Sequence, residues 1–181
     1  ETAAFSLANY TNQDVRFKFR FGTDSSVEAY EGWYFDNIEV SSGTETHFED
    51  DFEDGDGGWM ADIVESEWNY YSNKSYSGEY SWYLGNPSTE TYSASLNDSL
   101  ESPTFDIGDG AEKYVSAMIW FAIDGPNDFV NLEINQSGEW ELLETFPGDD
   151  GDYSSEYGGA DENGWLYFES DVSEYEDDVS F

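Results

Sequence analysis

The side chains able to do chemistry in this chain are overwhelmingly carboxylates: 42 Asp and Glu against five Lys and Arg, one histidine and no cysteine. Carboxylates support two kinds of chemistry. A pair can act as general acid and base on a glycosidic bond, and a cluster can hold a hard cation. Calcium takes six to eight oxygens and tolerates irregular geometry. Asp124 and Asp128 flank the tight turn DGPND and are candidate calcium ligands on that ground. Acid–base catalysis finds less support, because so acidic a chain supplies two-carboxylate coincidences everywhere. His47 stands alone in a polar stretch, and no Ser/His or Cys/His arrangement can be built around it. The chain contains no H-E-x-x-H, G-x-S-x-G or P-loop motif. The expectation is a protein that is not an enzyme.

Charge sets the next bounds. At a formal net charge of −37, binding to nucleic-acid phosphate adds repulsion instead of releasing counter-ions, and an anionic membrane surface is disfavoured likewise. Self-repulsion also opposes the compact state, so divalent cations or high salt are expected to offset it, as in a salt-adapted protein. No apolar run is long enough to span a bilayer, and no signal-peptide pattern is present. The opening ETAA reads as a processed end. Four sequons, Asn9, Asn73, Asn97 and Asn135, point to a secreted glycoprotein, extracellular or at a cell surface. An aromatic fraction of 19% excludes a disordered acidic tail.

Strands must position these groups. Residues 15–21 alternate strictly: Val15, Phe17, Phe19 and Phe21 against Arg16, Lys18 and Arg20, which are three of the five cations. Val130, Leu132 and Ile134 alternate with Phe129, Asn131 and Glu133, residues 139–144 alternate less cleanly, and Tyr80, Trp82 and Leu84 form a short run. Residues 113–123, mostly apolar, read as a central strand buried on both faces. Gly, Asp, Asn, Ser and Pro clusters separate the runs, and no window shows a capped 3.6-residue period. The pattern predicts an all-β, antiparallel jelly-roll β-sandwich. Residues 41–48 read as a linker. WNYYSNKSY, residues 68–76, carries consecutive aromatics that must point both ways and is a candidate protein or glycan contact. Most of the seven tryptophans are expected in the core. The strings LANY…VRF near the start and VSEY…VSF at residues 172–181 echo each other.

Several motifs carry a family resemblance. EGWYFDNIEV at residues 31–40 follows the Arg/Phe strand; DDFEDG at residues 50–55 leads to Gly58 and Trp59; LESPTFDI occupies residues 100–107; and a GW…DVSEY…V stretch begins at Gly164. Together the chain resembles the MAM-like accessory jelly-roll modules of immune inhibitor A and bacillopeptidase F-type secreted peptidases. The resemblance implies a structural calcium near the junction of opening and closing strands, with Glu53, Asp54 and Asp36 as ligands by position. Asp24 and Asp56 are further candidates. The order departs from that family, since the closing strands come first. Residues 1–46 then form N-terminal closing or donor strands and residues 47–181 the jelly-roll body. Circular permutation, strand donation between subunits and an excerpt of a tandem array all fit. In each, the Phe17, Phe19 and Phe21 face fills a vacant apolar groove. The leading expectation is a subunit of an extracellular filament or surface array, a homopolymer joined through residues 15–21 by β-strand complementation and stabilised by Ca2+. The alternative is an adhesive or carbohydrate-binding module of a larger cell-surface protein or peptidase, with a glycan as partner.

Overall fold

A computed structural model describes residues 14–26, 30–42, 44–61, 65–107, 113–125, 127–136, 138–148 and 164–171. Among these, every regular element is a strand. β1 is Asp14–Gly22, β2 Gly32–Ser42, β3 Glu45–Asp50, β4 Met60–Ala61, β5 Trp68–Tyr71 and β6 Ser81–Leu84. β7 is Asn97–Glu101, β8 Phe105–Asp106, β9 Tyr114–Ala122, β10 Phe129–Gln136, β11 Glu139–Pro147 and β12 Leu166–Asp171. They form two antiparallel six-stranded sheets. The first runs β11-β10-β1-β7-β4, with β8 also on β1; the second runs β12-β9-β2-β6-β5, with β3 also on β2.

The sheets pack together because each central strand turns one apolar row inward. Val15, Phe17, Phe19 and Phe21 of β1 and Val130, Leu132 and Ile134 of β10 meet Trp33, Phe35, Ile38 and Val40 of β2 and Val115, Ala117 and Ile119 of β9 in one core. Phe19 lies 4.5 Å from Phe35, ring to ring, and Trp33 stacks on Phe121 at 4.9 Å. β9 is buried on both faces only at its middle, where Ala117, Met118 and Ile119 are all covered. The blurred alternation of residues 139–144 is a β-bulge: the register with β10 shifts between Leu132 and Glu133, and Leu143 turns inward.

One expectation needs correcting. Residues 41–48 are no linker: β2 and β3 pair as a hairpin, Ser42 opposite Glu45 and Ser41 opposite Thr46. Thr46 and Phe48 suit a strand, and Phe48 stacks on Phe105 at 4.4 Å. The strands β1 and β2 lie inside the same two sheets as the strands that follow them. β1 lies between β10 and β7, and β2 between β9 and β6, at the centre of both sheets. The echo strings at residues 7–10 and 172–181 lie outside the described residues, as does Asn9.

Candidate functional site

The cations of β1 occupy the outer face of the first sheet. Arg16 Nη1 pairs with Glu101 at 2.7 Å, Lys18 Nζ with Glu101 at 3.2 Å, and Arg20 Nε with Glu133 at 2.8 Å. Lys18 also sits 3.8 Å from the centre of the Trp140 ring, and Arg20 lies over Phe129 at 5.7 Å. Partly buried cross-strand pairs of this kind, each side chain about a third exposed or less, contribute about 0.2–1 kcal/mol each. The residues expected at a subunit joint divide by face. Val15, Phe17, Phe19 and Phe21 fill the core of their own chain, while Arg16, Lys18 and Arg20 lie on its surface. The groove is occupied in cis.

Asp24, Asp124 and Asp128 gather at one end of the sandwich. Asp128, 3% exposed, accepts the Tyr92 hydroxyl on Oδ2 at 2.7 Å and the Asp24 amide on Oδ1 at 2.9 Å. Its carbonyl takes the Gly148 amide at 2.7 Å. The Asp124 amide donates to the Tyr92 oxygen at 2.7 Å. Asp24 is turned toward Ser26, whose hydroxyl and amide hold its carboxyl below the usual range. Asp128 therefore ties four chain segments through hydrogen bonds.

Asp36, Glu53 and Asp50 serve loops in the same way. Asp36 is fully buried. Its Oδ2 accepts the Tyr76 and Ser77 amides at 2.7 and 3.1 Å, and its Oδ1 the Asn37 amide at 2.7 Å. Glu53 Oε1 takes the Glu79 and Tyr80 amides, each at 2.8 Å. Gly78 passes so close to that carboxylate, with φ at +61°, that a Cβ there would collide with it. Asp50 accepts from Phe52 N at 2.9 Å and Trp59 Nε1 at 3.3 Å, and burial raises its pKa. Asp56 caps a turn by accepting Gly58 N at 3.0 Å.

These anchors hold the β5–β6 connection against the outer face of the second sheet, over an aromatic layer. Tyr71 stacks on Tyr83 at 5.3 Å, Tyr83 on Tyr34 at 4.3 Å, and Trp120 and Trp165 meet Tyr34 edge-on. Lys74 lies 3.0 Å from the Trp120 ring centre and 2.6 Å from Glu31, and burial lowers its pKa. WNYYSNKSY thus splits as its spacing demands: Trp68 and Tyr70 join the main core, and Tyr71 joins this outer layer.

Burial of Asp36 outweighs its three amide donors and pushes its pKa from 3.8 up to about 6. The folded state thus binds the extra proton between those values. Stability from this group is complete at low pH and is lost as pH rises from 3.8 to about 6. The shift corresponds to up to about 3 kcal/mol, or about 1–2 after allowance for solvent screening. Urea titrations of wild type and Asp36→Asn at about pH 4 and about pH 6.5 are expected to show their stability difference change by that amount. A pH-independent difference refutes the assignment.

The calcium expectation meets a different geometry. Among the described residues, no group of three or more His, Asp or Glu side chains is arranged to hold a metal ion. Asp36, Glu53, Asp50 and Asp128 instead present oxygens to backbone and side-chain donors. Asp54 lines an open concavity of about 480 Å3 with Glu39, Glu49, Asp50 and Asp51.

One further feature escaped sequence reasoning. Ser42 Oγ lies 2.7 Å from His47 Nε2, so a Ser/His contact does exist, closed by the β2–β3 hairpin. Such hairpin pairing places residues five apart side by side, a signal available only once residues 41–48 are read as strands. Among the described residues, no carboxylate hydrogen bond to the other ring nitrogen accompanies it. Asn73 and Asn97 are exposed, Asn73 donating to Glu90 at 2.8 Å. Asn135 is only 7% exposed and accepts the Gly138 amide at 3.2 Å, so a glycan there would have to displace that contact. No helix of the described residues is long and apolar enough to cross a membrane.

No protein-family model matches the chain, and no curated protein or solved structure matches it.

Proposed function

We propose that this protein is a structural subunit of an extracellular filament or surface array, a jelly-roll-type sandwich whose copies assemble by exchanging β1. The observation that carries this reading is the position of β1. It is wedged between β10 and β7, paired antiparallel to both, with its whole apolar row in the core. A strand so placed is a plug for a slot, and the slot is indifferent to which copy supplies the plug. The monomer closes in cis; the polymer closes in trans with the same contacts. Calcium or salt acts as a screening counter-ion on the acidic surface. Electron microscopy of the full chain in calcium is expected to show fibres that chelator disperses, while a chain lacking residues 1–21 forms none. Fibres unchanged by that deletion, or a full chain that stays monomeric, overturn the reading.

A second reading, an adhesive or glycan-binding module, is favoured by Tyr76 and Tyr167, exposed on the side of the second sheet that also carries Trp165. Glycan-array binding by the folded monomer is its test.

A further inference from the structure

The two outer sheet faces are finished differently. The outer face of the second sheet carries the aromatic layer, with the chain's own Lys74 and Tyr76 against it. On the first sheet, one cross-strand row spans five strands: Met60 opposite Glu101, Glu101 opposite Lys18, Lys18 opposite Glu133, and Glu133 opposite Leu142. Residues directly opposite share a face. The row ends in exposed apolar side chains, Met60 at 65% and Leu142 at 53%.

We propose that this face is a contact between two copies of the chain, sheet against sheet, lateral to the exchange of β1. The inference deepens the reading of the protein as an assembly subunit and rests on it. Charge decides the occupant. The face carries Arg16, Lys18 and Arg20 against Glu101 and Glu133, with Asp14 and Asp106 opposite one another beside them, and is thus close to balance in a chain of net charge −37. Two copies therefore repel least when they approach through it. Its pattern of acids and bases is also self-complementary, as an isologous contact requires. A small offset between packed sheets sets the cations of one copy against Glu101 and Glu133 of the other. Arg16 engages Glu101 through one terminal nitrogen and Arg20 engages Glu133 through Nε, so both guanidinium groups keep further donors for a second carboxylate.

The area suits a modest contact. β4, β7, β1, β10 and β11 together hold 33 residues, which at about 3.4 Å each and about 4.8 Å between strands cover about 540 Å2, against about 800 Å2 per partner in a standard interface. Met60 and Leu142 supply the apolar anchors at either edge.

Sedimentation velocity of the full chain at low salt and in about 1 M NaCl tests this. Salt screens the repulsion while leaving apolar contact intact, so a closed dimer is expected to tighten as salt rises. The double variant M60E/L142E is expected to raise the dissociation constant at least about a hundredfold and to lower the denaturation midpoint only slightly, because both positions are exposed although each new carboxylate faces Glu101 or Glu133. L142E alone, a milder change, is expected to act in the same direction. A monomer at both salt concentrations, or a dimer indifferent to M60E/L142E, overturns the proposal. The two contacts separate cleanly, because M60E/L142E leaves β1 intact. Open polymers that ignore the double variant sink the face contact and leave strand exchange standing. Closed dimers abolished by it, without polymers, do the reverse.

Discussion

Asp128→Ala is expected to lower the free energy of unfolding by about 3–5 kcal/mol, read from urea titration in high salt. The estimate follows from what the carboxylate holds. It is 3% exposed and receives both the Tyr92 hydroxyl and the Asp24 amide. A hydrogen bond to a charged group is worth about 1.5–3 kcal/mol, and an orphaned buried donor adds a desolvation penalty. Alanine removes both acceptors at once. Tyr92 would also lose its fixed position against Phe21, whose ring it meets edge-on at 5.1 Å. Asp128→Asn is expected to cost less, about 1–2 kcal/mol, because the amide oxygen still accepts one bond. The same titrations separate the structural role from a calcium role. If Asp128 acts as a hydrogen-bond anchor, the loss is equal in calcium and in chelator. If it binds the ion, the variant abolishes a calcium-dependent gain in the wild type. A loss under about 1 kcal/mol, or one confined to calcium, defeats the anchor.

That contrast shows where the sequence was readable. Period-two alternation is a direct consequence of strand geometry, so Val15 to Phe21 and Val130 to Ile134 declared their inward faces without help. Both rows are in the core, and the two-sheet, all-β architecture follows from them. The pairing of β1 with β10 and β7 was not readable, because register depends on chain segments more than seventy residues away. Residues 41–48 misled for a different reason. Ser, Thr and Glu are as common in linkers as in exposed hairpins, and only the pairing of Ser41 with Thr46 tells them apart.

The carboxylates were the hardest to read. Asp36, Glu53 and Asp128 carry the residue type of a calcium ligand, yet each is aimed at N–H or O–H donors supplied by loops distant in sequence. A carboxylate cannot announce from its own position whether its partner is an ion or an amide. Composition had forecast a need to neutralise −37. The fold answers part of that need with dipoles, turning loop amides toward buried carboxylates and placing three cations in one strip.

Phe19→Ala probes the apolar side of the same strand and is expected to cost about 3–5 kcal/mol. Phe19 is 1% exposed. It packs 4.5 Å from Phe35 and 6.1 Å from Trp59, bridging the two sheets, and its backbone pairs with Leu132 on one side and Leu100 on the other. With both neighbours fixed in the ladder, the site cannot collapse around a smaller residue, so most of the cavity survives. The opposite face of β1 offers the control. Arg20→Gln breaks an ion pair whose arginine is a third exposed, and such a pair is worth about 1 kcal/mol or less. Domains of this size are stable by about 5–15 kcal/mol, and here self-repulsion is subtracted at low ionic strength. Phe19→Ala is therefore expected to unfold in dilute buffer and to recover its strand circular-dichroism signal in about 1 M salt, where the Debye length falls to about 3 Å. Arg20→Gln is expected to stay folded in both. If the two variants lose equal stability, the phenylalanine row is not what seats β1, and a strand held by charge alone could not serve as the plug that assembly by exchange requires.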